Sequence, residues 1–546
     1  MKKRNSFLIT IICFFLLVFN HGLVSAQTFT EILGRPTNNS ITVSILFNQS
    51  VSLYVEYGIQ PGIYPNSTAV ITSTANIPDE IDMTNLNPNT KYYYRCRYHT
   101  SSSSTFLAGT EHSFYTQRAA GSTFTFTIEA DEHLYDKKGV KSIYQICLNN
   151  QAEDKPDFML SLGDIFGDDH YVSTMTSGKS DTLHRNYLPF IGSICHSIPF
   201  YICLGNHEGE FDYYLAQNPP NNIAVWGTLF RKMYYPNPFP NNFYTGNTDV
   251  EPYSMGNPEN YYAWKWGNAL FVVMDVYRDQ CDTSAKPTNW NWSLGLPQYT
   301  WLKNTLENST AQYKFVFAHH VSGQGRGAAV QSKLFEWGGY EQNGNYTFNT
   351  KRPGWAKPIH QLFVDNGVNI FFQGHDHLFA HEILDGVIYQ ETPMPSDSTY
   401  EIGMLANADA YTSDTIGGTG HLRVTVSPTC VKVDFVRAYL PADTLSGLHH
   451  NGEVAFSYTI GNCSSSINEK SVMEVNLFPN PAKDNLYVQI PENIDNYLIK
   501  LYNAFGQILL QTKSTNIDIH NFPNGIYILS LESKNFKTNK KLIINR

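Results

Sequence analysis

The sequence of 546 residues is too long for one ordinary domain and predicts two to four domains. Charged residues make up only 16% and aromatic residues 14%, a composition more typical of a β-rich exported protein than of a cytosolic helical one. The formal net charge of −10 argues against nucleic acid as a structural partner, because an acidic surface repels a phosphate backbone.

The N-terminal segment 1–26 has the features of a secretory signal peptide. Its basic start at positions 2–4 precedes an apolar run from Phe7 to Phe19, and small residues at 24–26 offer a cleavage site before Gln27. The apolar run is too short for a membrane anchor, and we expect no transmembrane segment in the rest of the chain. The protein is therefore predicted to be secreted or held at the cell surface.

The cysteines do not predict a disulfide framework. The chain has eight, and removal of Cys13 with the signal peptide leaves an odd number without regular spacing. The pattern leaves one or two disulfides open and does not assign them. The chain also has no Cys-x-x-Cys motif, so zinc held by thiolates is not expected.

Residues 27–118 predict a small β-sandwich. Polar and apolar residues alternate over 40–47, 51–57, 90–98 and 111–116, and this period of two places one face of each strand in a core. The run Leu86-x-Pro88-x-Thr90-x-Tyr92 resembles the tyrosine corner of fibronectin type III domains. The segment has no cluster of titratable groups, so we interpret it as a structural or positioning module.

Residues 119–461 predict a layered α/β domain, because apolar strands alternate with helical stretches near Lys141–Asn150, Leu183–Ser193 and Pro297–Leu306. Residues Gly209–Glu259 and Gly323–Gly354 are rich in loop-forming residues, and we expect two long surface loops there.

Five of the predicted strands end in residues that can bind a metal or transfer a proton. These strand ends are Asp131-x-His133, Gly163-Asp164, Gly205-Asn206-His207-Glu208, His319-His320 and Gly374-His375-x-His377. Each alone is weak, because a histidine at a strand end is usually an ordinary hydrogen-bonded residue. Five together predict a metal site at one edge of the sheets.

These five blocks, in this order, resemble the calcineurin-like metallophosphoesterase superfamily over about Phe124 to Tyr439. The β-sandwich that precedes them resembles the arrangement of purple acid phosphatases. The resemblance implies an α/β fold: a four-layered metallophosphatase β-sandwich flanked by helices, with an N-terminal all-β fibronectin-like sandwich. It also implies a dinuclear metal centre.

The resemblance implies a ligand set for each metal ion. The first ion would take Asp131, His133, Asp164 and His377. The second would take Asp164, Asn206, His319 and His375, so that Asp164 bridges the two. Oxygen and imidazole ligands of this kind suit two divalent or trivalent ions of Mn, Fe or Zn. His320 would lie just behind the ligands and hold one of them or a substrate oxygen.

One position departs from purple acid phosphatases. They carry a tyrosine ligand three residues after the bridging aspartate, where this chain has Gly167, and they lack the histidine that is present here as His133. The resemblance therefore predicts no purple colour and leaves a ferric ion at the first position in doubt.

The implied reaction is in-line attack of a metal-activated water on a phosphate ester. We expect Asp164 and His207 to be catalytic, with His207 protonating the leaving alkoxide or stabilising phosphoryl oxygens. Glu208 would orient His207 or a metal ligand. Arg326 could clamp a phosphate, although a surface position is equally compatible with the sequence. Asp168, Asp169 and His170 could shape substrate access, but the sequence favours a solvated turn at these positions.

The tail has a resemblance of its own. Asn476-Leu-Phe-Pro-Asn-Pro-Ala-x-Asp484 and Asn524-Gly-Ile-Tyr527 resemble the C-terminal sorting domain of the type IX secretion system. This implies a small C-terminal β module and a partner in the type IX machinery.

The sequence therefore predicts a secreted metal-dependent phosphoric ester hydrolase that acts on small phosphate esters, monoesters first. Phosphodiesters or phosphotriesters are the alternative substrates, and a surface binding protein with an inactive metallophosphatase fold is the non-enzyme alternative. The predicted domains are 1–26 (signal peptide), 27–118 (fibronectin type III-like), 119–461 (metallophosphoesterase), 462–472 (linker) and 473–546 (sorting domain).

Overall fold

A computed structural model describes residues 29–135, 139–321, 326–402, 410–411, 415–463, 476–490, 497–503, 507–533 and 536–546. The predicted signal peptide and most of the predicted linker lie outside these residues. The chain divides into two compact units, Met1–Asn462 and Cys463–Arg546. Within the described residues, no helix has the length and apolar character that crossing a membrane requires.

The first unit begins with the predicted β-sandwich. One sheet has the strand order β1-β2-β6; in the other, β4-β3-β7-β8 is joined by β5 and β9. Its strands are β1 (Phe29–Gly34), β2 (Ile41–Phe47), β3 (Val51–Gly58), β4 (Asn66–Ser67), β5 (Ile71–Ser73), β6 (Asp79–Met83), β7 (Lys91–His99), β8 (Leu107–Ala108) and β9 (His112–Tyr115). Alternate residues of β3 and β7 are buried between the sheets, as their period-two pattern predicts.

The layered domain contains two further sheets. A six-stranded sheet has the order β12-β11-β10-β21-β22-β23, and an eight-stranded sheet has the order β13-β14-β15-β16-β17-β19-β18-β20. The strands are β10 (Phe124–Glu129), β11 (Phe158–Ser161), β12 (Phe200–Ile202), β13 (Thr245–Gly246), β14 (Tyr262–Trp266), β15 (Ala269–Val273), β16 (Tyr313–Phe317), β17 (Ile370–Gln373), β18 (Phe379–Leu384), β19 (Val387–Glu391), β20 (Thr415–Ile416), β21 (Gly420–Val426), β22 (Cys430–Arg437) and β23 (Val454–Gly461).

Helices cover the outer faces of these sheets, which gives the predicted four layers. They are α1 (Lys141–Glu153), α2 (Ser177–Cys195), α3 (Asp212–Leu215), α4 (Ile223–Tyr234), α5 (Gly295–Glu307), α6 (Phe335–Gly338), α7 (Phe348–Lys351) and α8 (Ile359–Asp365). α1 and α2 pack on the six-stranded sheet, and α5 and α8 pack on the eight-stranded sheet. Aromatic residues fill the space between the sheets; the ring centroid of Phe126, for example, lies 5.1 Å from that of Phe271. The predicted α/β fold is confirmed.

The loop prediction for Gly209–Glu259 is wrong in part, because α3 and α4 lie in this segment. The side chain of Asn222 accepts the Val225 N–H and caps α4, and Arg231 within the helix bonds both carboxylate oxygens of Glu210 at 2.6 and 2.9 Å. The second predicted loop likewise contains the single-turn helices α6 and α7.

Strand direction decides where the predicted site residues lie. β10, β11 and β12 run parallel to one another, and so do β15, β16, β17 and β19. The residues that follow the carboxyl ends of these strands therefore emerge at a common edge.

The second unit is a small β module. Its sheets have the orders β24-β25-β28 and β27-β26-β29-β30. The strands are β24 (Asn476–Phe478), β25 (Asn485–Gln489), β26 (Leu498–Tyr502), β27 (Ile508–Thr512), β28 (Asn516–Asp518), β29 (Gly525–Ser533) and β30 (Phe536–Ile544). Among the described residues of the first unit, the cysteines at 96, 147, 195, 203 and 281 are free thiols.

Candidate metal centre

The first group of converging side chains is Asp131, His133 and His377, whose ligand atoms all lie within 4.8 Å of one another. His377 Nε2 lies 3.4 Å from Asp131 Oδ1, and His133 Nε2 lies 3.8 Å from the same oxygen. The two Nε2 atoms are only 3.3 Å apart. Two imidazole nitrogens and a carboxylate oxygen thus face one point, an arrangement that can hold a cation.

The second group is Asp164, His319 and His375. His319 Nε2 lies 3.0 Å from Asp164 Oδ2, and that oxygen is also 4.0 Å from His133 Nε2 of the first group. Asp164 therefore lies between the two groups. His319 donates its Nδ1–H to the Leu162 carbonyl at 2.9 Å, a bond that turns Nε2 toward the site.

Each aspartate uses its second oxygen to fix the backbone of another strand end. Asp131 Oδ2 accepts the His375 N–H at 2.9 Å, and Asp164 Oδ1 accepts the His207 N–H at 2.7 Å. The remaining oxygens, Asp131 Oδ1 and Asp164 Oδ2, are thereby aimed at the imidazoles. The strand ends consequently hold one another in place.

The spacing of these atoms fits a pair of transition metal ions. Four ligands at bonds of about 2.1 Å in a tetrahedral shell lie roughly 3.4 Å apart, which falls within the range observed here. Asp131 Oδ1 of the first group and Asn206 Oδ1, on the strand end after β12, are buried and make no hydrogen bond within the described residues, so each has unused lone pairs.

The backbone is strained at the same positions. Asp131, His133, Asp164, His375 and His377 have positive φ angles between 44° and 79°. Few non-glycine residues adopt this left-handed conformation, which costs of order 1–3 kcal/mol each and concentrates at functional sites. The left-handed backbone at five residues of the two groups supports their interpretation as a site.

Glu208 supports the strand ends through their backbone. Its buried carboxylate accepts the backbone N–H groups of Asp164 at 3.0 Å, Ile165 at 2.7 Å and Gly205 at 2.5 Å. Of the two roles expected for Glu208, the bond to the Asp164 N–H supports the one on a metal-ligand candidate. Gly205 is required by close approach, because a Cβ there would stand 2.3 Å from Asp164 Oδ1.

Two segments of the chain match known families. Residues 124–379 match the family described as calcineurin-like phosphoesterase, and residues 476–545 match the secretion system C-terminal sorting domain. Residues 124–379 are a calcineurin-like phosphoesterase domain. The second match confirms the type IX sorting tail, and such a domain implies secretion or attachment to the cell surface.

Solved structures resemble this chain at low sequence identity, and no curated protein matches it. PhoD aligns with a TM-score of 0.55 and 16% identity over 79% of this chain and 90% of PhoD, which supports the fold. Two others are GAP50, the anchor in the inner membrane complex of Plasmodium (TM-score 0.34, 13% identity, 62% and 89% coverage), and a predicted phosphoesterase from Streptococcus pneumoniae TIGR4 (0.24, 11%, 63% and 100%).

In the phosphoesterase domain, His207 is oriented by a residue that the sequence analysis did not single out as its partner. His207 Nδ1 lies 2.5 Å from Asp169 Oδ1, and its Nε2 lies 3.7 Å from Asp164 Oδ2. The ring of His170 stacks on that of His207 with the centroids 3.9 Å apart. The signal for Asp169 was its position five residues after Asp164, in the turn from Asp168 to Thr174.

Two more residues lie beside the second group. His320 bonds the Val321 carbonyl through Nδ1 at 2.6 Å, and its ring centroid lies 4.5 Å from that of His375. Tyr277 follows β15, and its ring centroid lies 5.2 Å from that of His320. The Tyr277 hydroxyl is buried without a hydrogen-bond partner among the described residues. The sequence analysis missed this strand end because it carries neither histidine nor a glycine-aspartate pair.

Arg326 is an ion-pair partner of Asp376, which stands between His375 and His377. Arg326 Nη1 donates to Asp376 Oδ1 at 2.8 Å, and its side chain is 44% exposed. The guanidinium is therefore tethered beside the phosphoesterase site and remains open to solvent.

The charges of this domain favour a bound cation. Burial alone would raise the pKa of Asp164, but the imidazoles of His319 and His207 hold that pKa well below its usual value. Burial disfavours a charged His319, but Asp164 and Asp131 raise its pKa to about 10. Burial and the charge of His319 lower the pKa of His320 to about 3. The carboxylates thus stay ionised and attract positive charge.

Proposed function

We propose that this protein is a secreted phosphoesterase that uses two transition metal ions to hydrolyse small phosphate esters, with monoesters as its main substrates. The observation that carries the proposal is the convergence of two Asp–His groups, with Asp164 Oδ2 between them, at one edge of a phosphoesterase domain. Oxygens with unused lone pairs and a strained backbone at the same residues support it.

Asp131, His133, Asp164 and His377 would hold one ion, and Asp164, Asn206, His319 and His375 the other. Mn, Fe and Zn suit this mixture of carboxylate, carboxamide and imidazole. Such ions, when bound, supply an activated water and offset the charge that develops on the phosphoryl oxygens.

His207 would act as the general acid. The bond between Nδ1–H and Asp169 leaves Nε2 to carry the mobile proton toward the site, where it can be transferred to the departing alkoxide. Asp169 also stabilises the imidazolium before the transfer, and the stacked His170 ring restricts rotation of His207.

The experiment compares p-nitrophenyl phosphate with bis(p-nitrophenyl) phosphate after loading with Mn, Zn or Fe. We expect faster turnover of the monoester and about two metal ions per chain by elemental analysis. Asp164→Asn should lose both metal and activity. His207→Ala should keep the metal and lose about 10²–10⁴-fold in kcat.

The exposed His449 provides a control, because His449→Ala should change neither metal content nor turnover. Bound metal without turnover of either ester would overturn the enzyme proposal. A preference for the diester, which Gly167 in place of a tyrosine ligand would favour, would instead make diesters the substrates.

For export, segment 1–26 would serve as a cleaved signal peptide, and the C-terminal module would be the sorting signal that the type IX machinery recognises. N-terminal sequencing of the exported protein should begin at Gln27. An exported protein that still begins at Met1 would contradict the signal peptide.

A further inference from the structure

A cleft of about 800 Å³ lies between α5 and the strands β13 and β14, and none of its lining residues belongs to the metal centre. This volume falls within the range of about 300–1,000 Å³ typical of ligand sites. Leu270 in the cleft stands near the start of β15, whereas the metal centre lies beyond the ends of the parallel strands. The cleft is therefore separate from the catalytic edge.

One wall of the cleft is a face of α5 that carries no charge. Pro297, Thr300, Trp301, Asn304, Thr305 and Asn308 recur at the spacing of successive helical turns. The charged residues Lys303 and Glu307 lie off this wall and pair with each other at 2.6 Å. An exposed helix face usually carries charges, so a neutral hydrogen-bonding face that lines a cleft indicates a ligand surface.

Aromatic rings form the apolar part of the cleft. Trp301 is half-buried, its ring centroid lies 4.9 Å from that of Tyr261, and its Nε1–H donates to Thr245 Oγ1 at 3.3 Å. Phe243 is also half-buried and lines the same space. The indole is thus held in one orientation with part of its surface left to a ligand.

Hydrogen-bonding groups of the cleft are available as well. The side chains of Asn304, Thr305 and Asn242 make no hydrogen bond to other described residues. Each amide offers a donor and an acceptor, and the hydroxyl offers both. Among the described lining residues, Lys265 and Asp249 are the only charged ones, and they carry opposite signs. The cleft therefore offers no net charge that would offset the charge of an anionic or cationic ligand.

We propose that this cleft binds a neutral oligosaccharide. A sugar ring presents an apolar C–H face that packs on an aromatic side chain, and its hydroxyls match amide and hydroxyl partners at the edges. The sorting tail directs the chain to the exterior, where such ligands are accessible. The site would anchor the phosphoesterase to a polysaccharide without taking part in ester hydrolysis.

The test measures binding of the full metal-loaded chain to neutral hexasaccharides by isothermal titration calorimetry. Cellohexaose, laminarihexaose, xylohexaose and mannohexaose are the probes. We expect at least one to bind, and Trp301→Ala to weaken that binding by about tenfold or more. The matched control is Lys303→Ala, on the same helix but outside the cleft, which should bind as the unchanged protein does.

Asn304→Leu is the second variant, because this exposed residue can be replaced without opening the core. It should weaken binding by about threefold or more while turnover of p-nitrophenyl phosphate stays unchanged. The proposal is overturned if no probe binds at millimolar concentration. It is also overturned if the folded Trp301→Ala and Asn304→Leu proteins bind as tightly as the unchanged protein.

Discussion

Asp169 and Asp168 are adjacent carboxyl groups in different environments. Asp169 is bound to His207 at 2.5 Å, whereas burial raises the pKa of Asp168 well above its usual value and so favours the neutral form of that carboxyl group. Asp169→Asn should lower kcat by about 10²-fold or more, because the amide no longer fixes the His207 tautomer or stabilises its charged form. The measurement is kcat against pH at matched metal content.

Asp168→Asn is the matched control, because an amide resembles a neutral carboxyl group in shape and charge. It should retain activity within about threefold. Equal losses in the two variants would show that the turn, rather than the bond to His207, matters.

The sequence predicted which residues would converge, because each metal-ligand candidate directly follows an apolar strand and parallel strands end at one edge. It could not predict their partners. Asp169 bonds His207 although the two residues follow different strands. The carboxylate oxygens of Glu208 accept backbone N–H groups. Such contacts depend on side-chain directions that local sequence does not encode.

The strand-end segments 163–166 and 205–208 act as one element, because they are packed backbone to backbone. A Cβ on Gly205 would stand 2.4 Å from the Asp164 nitrogen, which is closer than any real contact. Gly205→Ala should therefore displace Asp164, reduce the metal content and destabilise the fold by about 1–3 kcal/mol. Elemental analysis and thermal unfolding measure the two effects.

Gly178→Ala is the control for this substitution. Gly178 lies in α2, and a Cβ there meets nothing within 4 Å. Alanine should raise the stability by about 0.4–1 kcal/mol, because it restricts the unfolded chain without a clash. Retention of both metal and stability by Gly205→Ala would refute the close-approach argument.

Elements with a strong repeating pattern were predictable, and those without one were not. β3 and β7 alternate cleanly and formed as expected. The helix α4 lies within a segment rich in asparagine, proline and tyrosine that reads as a loop. The cap by Asn222 is a local signal for α4, and the bond between Arg231 of the helix and Glu210 outside it adds a tertiary contact that the sequence does not show.

In the first unit, the β-sandwich and the layered domain share a buried junction. The Tyr94 hydroxyl donates to the His196 carbonyl at 2.7 Å, and Arg118 bonds both carboxylate oxygens of Asp157 at 2.7 and 2.8 Å. The sequence predicted both domains but not the contacts between them. The contacts join residues up to 102 positions apart, and no local sequence pattern indicates such a junction.

Glu259 connects this junction to the pH dependence of the whole molecule. Burial raises its pKa to about 7, although Lys232, Arg231 and the sandwich residue Arg35 act in the opposite direction. Between the unfolded pKa of about 4.3 and the folded pKa, the native state binds more protons than the unfolded state. Stability due to this group is therefore complete below the unfolded pKa and is lost as the pH rises through 7.

Glutamine cannot ionise, so Glu259→Gln avoids the loss of stability that ionisation of the buried carboxyl group causes. The variant should be more stable than the unchanged protein by about 1–3 kcal/mol at pH 8, and the difference should shrink toward pH 5. Thermal unfolding at the two pH values measures it. The exposed Glu307, paired with Lys303 within one helix, is the control, because Glu307→Gln should change stability by no more than about 0.5 kcal/mol at either pH. An advantage for Glu259→Gln that is equal at both pH values would mean that removal of a buried charge is not its cause, since only the ionised carboxylate carries the cost of burial at this junction.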